Sequence, residues 1–434
     1  MSGGQASRLS VSSSTAPGVQ RTYLLLTLLS TLSASFIWGI NTLFLLDAGL
    51  TNTEAFAANA FFTLGEMLFE IPTGVVADTW GRRCSYLLGA ATLLVSTLLY
   101  LAMWQLRAPF WAWAGASMAI GLGFTFFSGA TEAWLVDALA FSGHRGKLDD
   151  VLARGQVVTG VAMLTGTLGG GLVAQFTNLG VPYMLRAGLL GLTLMAAAVW
   201  MKDLGFTPER GGRVASHVRA VLRASLDYGL RQPAVRWVML AAFCSGGIGI
   251  FGFYAAQPFL LQLYGDPHAF GISGLAAAVV AASQIAAGVA APYLRRLFSR
   301  RTHALLTSAL LVVLCLYAMS RVSTFAAALA VLIGWSFSMW ASVPLRQTYL
   351  NGLIPSAQRA TVLSFDNLMT SAGAAFAQPA LGRVADARGY PFAYWVSAFV
   401  QFTSLPFLLL ARRSNAASDP TASGEPDPSQ LASS

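Results

Sequence analysis

Between residues 22 and 410 the chain alternates long apolar stretches with short polar punctuation. Each stretch approaches or exceeds the roughly 20 residues a helix needs to cross a hydrocarbon layer about 30 Å thick. No water is present there to satisfy backbone amides and carbonyls, so each stretch must close its own hydrogen bonds as a helix. Hydropathy and turn signals predict helices at 22–46, 55–77, 84–105, 110–139, 151–176 and 183–201. A second set follows at 235–264, 270–294, 303–321, 325–351, 360–382 and 391–411. The expected fold class is an all-α membrane protein of twelve transmembrane helices. The first apolar run far exceeds a secretory h-region, so it is read as a retained helix.

Composition agrees with this pattern. The 434 residues are 55% hydrophobic and only 10% charged, with a mean hydropathy of +0.60, whereas soluble domains carry about 25% charged residues. The net charge of +9 would suit a nucleic-acid partner if it lay on one soluble face, but the basic residues sit in short loops between apolar helices. Of the 27 Lys and Arg, 22 fall on one side if the amino terminus is inside; only Arg107, Arg186, Arg321, Arg383 and Arg388 fall on the other. The positive-inside rule therefore predicts two cytoplasmic termini in a plasma (inner) membrane. Residues 1–20 and 414–434 are Ser-, Ala- and Pro-rich and read as disordered tails. Residues 21–202 and 235–413 would form six-helix halves. The linker at 203–234 holds a basic amphipathic stretch, with Val214, Val218, Val221 and Ser225 on one face, expected to lie on the inner leaflet. Cys84, Cys244 and Cys315 form no disulfide or metal spacing.

The halves repeat each other. GVVADTWGR at 74–82 aligns without a gap on GVAAPYLRR at 288–296, each after the second helix of its half. GFTFFSGATEA from Gly123 likewise matches GWSFSMWASVP from Gly334, each in a fourth helix. Two parallel pseudo-symmetric halves explain both matches.

The segment at 74–83 resembles the loop signature of the major facilitator superfamily, a Gly, then an Asp, then Gly-Arg-Arg, although Thr79 stands where a basic residue is usual. The resemblance covers nearly everything between the tails and implies the major facilitator fold. It implies that Gly74 permits close helix contact and that Asp78 faces a helix amino terminus. Gly81, Arg82 and Arg83 complete the signature, the two arginines anchoring the loop on the cytoplasmic side. Asp137, in GATEAWLVDAL at 129–139, would join Asp78 and Arg82 in a conformational latch on that side. In the fifth helix Gly166, Gly170 and Gly171 are similar to the glycine signature of drug/proton antiporters, with Thr167 in place of its proline. The alternative for these glycines is ordinary close packing.

Acids embedded in lipid need a reason, because each costs about 2.5–3.5 kcal/mol on insertion scales. Glu66 and Glu70, four residues apart on one helix face, repel each other as anions, which is one way to build a proton carrier. The repeat places Val280 and Gln284 opposite them, so the shared scaffold does not require carboxylates there. Snorkelling or helix capping remains the alternative. Glu132 reads as relay or latch, and Asp366, the embedded acid of the second half, as a further proton-coupling candidate or, with Asn367, as a polar cavity contact or interface residue. Trp38, Asn41, Gln257, Trp335, Trp340 and Asn367 are cavity candidates, each singly also compatible with packing. No Walker-type loop argues for direct ATP drive. His144, His217, His268 and His303 lie in loops or at helix ends, without metal or nucleophile spacing. Neither an enzyme nor a bound cofactor is therefore expected. The resemblance and the acids together imply a monomeric secondary transporter in the lipid bilayer, with a small-molecule substrate and protons as coupling ion. Efflux of an amphiphilic drug is favoured, with a metabolite symporter or facilitator as the alternative within transport and a membrane-embedded sensor or enzyme as the disfavoured alternative from another class.

Overall fold

The computed structural model describes residues 15–208, 231–354 and 359–421. The linker positions Val214, Val218, Val221 and Ser225, and residues 1–14 and 422–434 of the tails, lie outside the described residues. All the named elements are helices: α1 (Ala16–Trp38), α2 (Asn41–Asp47), α3 (Asn52–Trp80), α4 (Arg82–Leu106), α5 (Phe110–Phe141), α6 (Leu148–Phe176) and α7 (Gly180–Trp200), then α8 (Pro233–Tyr264), α9 (Phe270–Arg296), α10 (Arg301–Met319), α11 (Phe325–Asn351), α12 (Arg359–Phe402) and α13 (Ser404–Arg413). Among the described residues ten helical stretches are long and apolar enough to cross a membrane, and the α1–α2 pair, bent by 51°, supplies an eleventh. One of the ten, Val362–Arg413, has 52 residues. At 1.5 Å per residue that is more than twice a hydrocarbon thickness. It breaks at Gly389, whose φ of 80° lies in the left-handed region and is followed by Pro391. Twelve crossings result, as the sequence pattern requires.

Local chemistry sets the boundaries. Thr51 and Glu54 form a reciprocal capping box at the start of α3. Gly81 separates α3 from α4 at φ 107°, a conformation costly for a side-chain-bearing residue. Pro233 opens α8, and left-handed Gly265 closes it.

The chain divides into two compact units. Unit 1 comprises Met1–His217 with Asp266–Ala278, so the opening turns of α9 cluster outside the half to which the sequence assigns them. Within it α3 packs along α5, α4 against α5 and α7, and α1 against α6 and α7. One end of the unit is filled by Val19, Tyr23, Tyr86, Trp134 and Met201. Phe44, Tyr100, Trp113 and Tyr183 fill another region, the Phe44 and Tyr183 rings stacked at 3.9 Å. In unit 2, which holds Val218–Gly265 and Val279–Ser434, α8 packs on α12 and α13, and α10 on α11 and α12.

Two tail boundaries move. Helix α1 begins at Ala16, inside the expected amino-terminal tail. Residues 414–421 are packed rather than loose: the carboxylate of Asp419, 2% exposed, accepts hydrogen bonds from the N–H and hydroxyl of Thr302 at 2.8 and 2.9 Å. Arg301 donates to the Ser418 and Pro420 carbonyls. The Ser/Ala/Pro composition concealed this strap because its order comes from capping α10, not from burying apolar side chains.

Candidate functional site

Unit 2 contains a cavity of about 550 Å³ walled by α8, α10, α11, α12 and α13, within the size range of small-molecule sites. Glycines make its room. On α8, Gly249 lies against Met339 of α11, and a Cβ at Gly252 would meet the Trp335 indole at 2.8 Å. Gly246 and Gly373 bring the backbones of α8 and α12 together, each glycine lying against a carbonyl of the other helix, as small residues do where lipid supplies no hydrophobic drive between helices. This approach sets Asp366 and Thr370 of α12 on the cavity wall, where the Thr370 hydroxyl donates to the Asp366 carbonyl at 2.9 Å.

Arg346 and Asp366 are the charged residues of the lining, and the guanidinium Nη2 of Arg346 donates to Oδ1 of Asp366 in a salt bridge. The pair is asymmetric. The Asp366 side chain is 5% exposed and that of Arg346 26%, so the carboxylate sits behind and the guanidinium faces the open space. The expected cavity residues Trp335, Asp366 and Asn367 line it. Gln257, buried on α8, and Trp340 do not line this cavity. Asn41 is instead a packing residue of unit 1, its amide donating to Asn59 at 3.0 Å and its oxygen accepting from the Tyr183 hydroxyl at 3.0 Å. Trp38, at the α1 end of the bend, likewise belongs to unit 1. Arg346 was missed as a site residue because a basic residue five positions before a predicted helix end reads as a topology marker. An arginine and an acid inside neighbouring apolar helices are the signal for a pair.

In unit 1, α3 and α5 meet at Gly65 and Gly121, where a Cβ on Gly121 would come within 2.8 Å of the Glu66 amide nitrogen. This crossing fixes the backbone of Glu66 against α5. Glu70, one turn on and exposed, accepts a weak hydrogen bond from the Ser128 hydroxyl at 3.4 Å. Glu132 is exposed on α5. The glycine motif of α6 packs: Gly166 lies against Ser35, Gly170 against the Phe36 carbonyl, and Gly171 against Gly274.

The residues that the resemblance groups at the loop lie together. Asp78 pairs with Arg82, and Arg82 Nε lies 4.0 Å from Asp137 Oδ2, an ion-pair distance too long for a hydrogen bond. The Arg82 guanidinium also sits 5.8 Å from the Phe206 ring. Asp203 joins unannounced. Its carboxylate accepts from the Arg83 N–H at 2.8 Å, satisfying a first-turn donor of α4 that Gly81, lacking a side chain, cannot reach. Arg83 in turn donates to the Ala198 carbonyl at 2.6 Å. Gly74 departs from expectation: a Cβ there would meet nothing within 4 Å, so no close helix contact explains it. Arg186, counted among the basic residues of the far side and lying near the start of the predicted helix 183–201, is 1% exposed on α7 and donates to the Thr97 hydroxyl at 3.0 Å.

A family model described as Major Facilitator Superfamily matches residues 23–365 and 267–433. The chain belongs to the major facilitator superfamily. It is a multi-pass secondary membrane transporter of that type, with a small-molecule substrate and the bilayer as its surroundings. Solved structures share the fold at low identity. A mutant form of the nucleoside transporter NupG matches with a TM-score of 0.78 at 10% identity, over 90% of this chain and 99% of that one. The xylose transporter XylE from E. coli gives 0.67 at 14%, over 91% and 96%. A bacterial homolog of the human lysosomal transporter Spinster gives 0.70 at 15%, over 94% and 99%. No curated protein matches the chain.

Proposed function

We propose that this superfamily member is a proton-coupled transporter that exports a small amphiphilic solute by alternating access, from a plasma membrane in which both termini are cytoplasmic. The observation that carries the reading is the Arg346–Asp366 pair on the wall of a solute-sized cavity. An acid kept inside apolar helices, partnered yet next to open space, can exchange both a counter-ion and a proton as solute comes and goes. Asp366 is assigned the coupling role in unit 2, with Glu66 as its counterpart in unit 1 and Glu70 and Glu132 as relays. The Asp78–Arg82–Asp137 cluster, steadied by Asp203, is assigned the role of latch at the cytoplasmic ends of its helices.

Protons suffice energetically. One proton moving down 100 mV releases about 2.3 kcal/mol from its charge alone, enough for a solute gradient of tens-fold. The export direction is supported by the likeness of the 166–171 glycines to the glycine signature of drug/proton antiporters in the superfamily. In cells producing the protein, a fluorescent amphiphile should accumulate less than in control cells, and a protonophore should abolish the difference. A difference that survives the protonophore removes the coupling; greater accumulation in the producing cells reverses the direction.

A further inference from the structure

The cavity says more about its solute than its size does. Trp335, Met339, Ser342 and Arg346 all line it, and their spacing of four, three and four residues sets them along one face of α11. From Trp335 to Arg346 that stripe runs about 16 Å at 1.5 Å per residue. Its ends are hydrogen-bond donors. At one end the guanidinium faces the opening while its carboxylate partner is buried behind it. At the other, Trp335 is 4% exposed and its indole N–H, buried in the wall, has no hydrogen-bond partner, a donor whose loss of water nothing in the wall offsets. Between them stand the Met339 thioether and the small Ser342 hydroxyl, which bonds its own helix at the Met339 carbonyl. A further unpartnered atom of the lining is Asn351 Oδ1, and a side-chain amide can turn over to offer its NH₂ instead.

We propose that this cavity takes an elongated amphiphile whose carboxylate docks on Arg346 and whose far end presents a hydrogen-bond acceptor to Trp335. The inference rests on the reading of the cavity as the solute site. It disfavours lipophilic cations, since the Asp366 side chain is only 5% exposed behind its partner whereas that of Arg346 is 26% exposed. Guanidinium–carboxylate pairing also supplies planar bidentate recognition that an ammonium head could not use.

The test is equilibrium binding of a radiolabelled biphenyl, carrying a carboxylate at one para end and a methoxy group at the other, to the purified full-length protein. Its trimethylammonium counterpart and the carboxylate lacking the methoxy group are run alongside. The carboxylate should bind the natural protein at least about tenfold more tightly than the ammonium compound. Because Arg346→Gln alone strands Asp366, the decisive variant is Arg346→Gln with Asp366→Asn, in which that preference should vanish. Trp335→Phe should erase the advantage of the methoxy group and leave the simpler carboxylate unaffected. Ammonium binding as tight as carboxylate binding, or a preference that survives the double variant, overturns the head-group assignment. Ser342→Trp, which fills the cavity, separates the two levels. If it blocks a cation-preferring site, the head-group inference falls and the cavity reading stands; if binding of every probe ignores it, both fall.

Discussion

The Arg346–Asp366 pair yields a prediction whose sign depends on the asymmetry of its burial. Exposed ion pairs contribute about 0.2–1 kcal/mol, whereas stranding one member of a buried pair costs about 3–5 kcal/mol. The side chains here are 26% and 5% exposed, respectively, so the two truncations should not be equivalent. Asp366→Ala leaves a guanidinium that already faces the cavity and can be rehydrated there, a loss of about 1–2 kcal/mol after allowing for screening. Arg346→Ala leaves a carboxylate enclosed among helices and should cost about 3 kcal/mol. Removing both should cost less than the two single losses combined, because neither charge is then stranded. Thermal unfolding of the four proteins in one detergent at neutral pH reads the order of midpoints. If Asp366→Ala proves the worse single variant, or the double variant loses the full sum, the pair is not built as described.

Further predictions follow from the packing and the acids. Gly121→Ala should destabilise by about 1–3 kcal/mol, because its Cβ meets α3 backbone closer than van der Waals contact allows. Gly129→Ala on the same helix, where a Cβ meets nothing within 4 Å, should be neutral or stabilising by up to about 1 kcal/mol in the same melting assay. Asp203→Ala should lower stability by about 1 kcal/mol, the usual cost of a lost helix cap, and raise cysteine-labelling rates at the start of α4; unchanged labelling would make the contact incidental. Glu66→Gln should insert and fold normally yet lose proton-driven transport in vesicles, and intact coupling there would return Glu66 to a packing role.

What the sequence disclosed follows the size of the physical penalties. Twelve crossings were legible because unsatisfied backbone in hydrocarbon is so costly that few arrangements survive. The proximity of Asp78, Arg82 and Asp137 was legible because the loop signature brings two of them one helical turn apart. Arg346 was read as an end marker, since only the tertiary approach of α11 and α12 shows that its partner is Asp366. Asp203 escaped notice because it caps a helix that begins 121 residues earlier in the chain, a relation that no local motif encodes. Gly74 was credited with a close contact on the strength of its motif, whereas Gly121, in no motif, makes one. Asn41 was read as a cavity residue by its polarity, but its amide is satisfied within a buried network instead.

Proton movement driven by the solute tests the central claim most directly. With the protein in sealed vesicles containing a pH-sensitive dye, an imposed gradient of a transported amphiphile should shift the internal pH for the natural protein and leave it unmoved for Asp366→Asn. Solute flux without any pH change, or equal proton movement by the Asp366→Asn variant, would contradict the account.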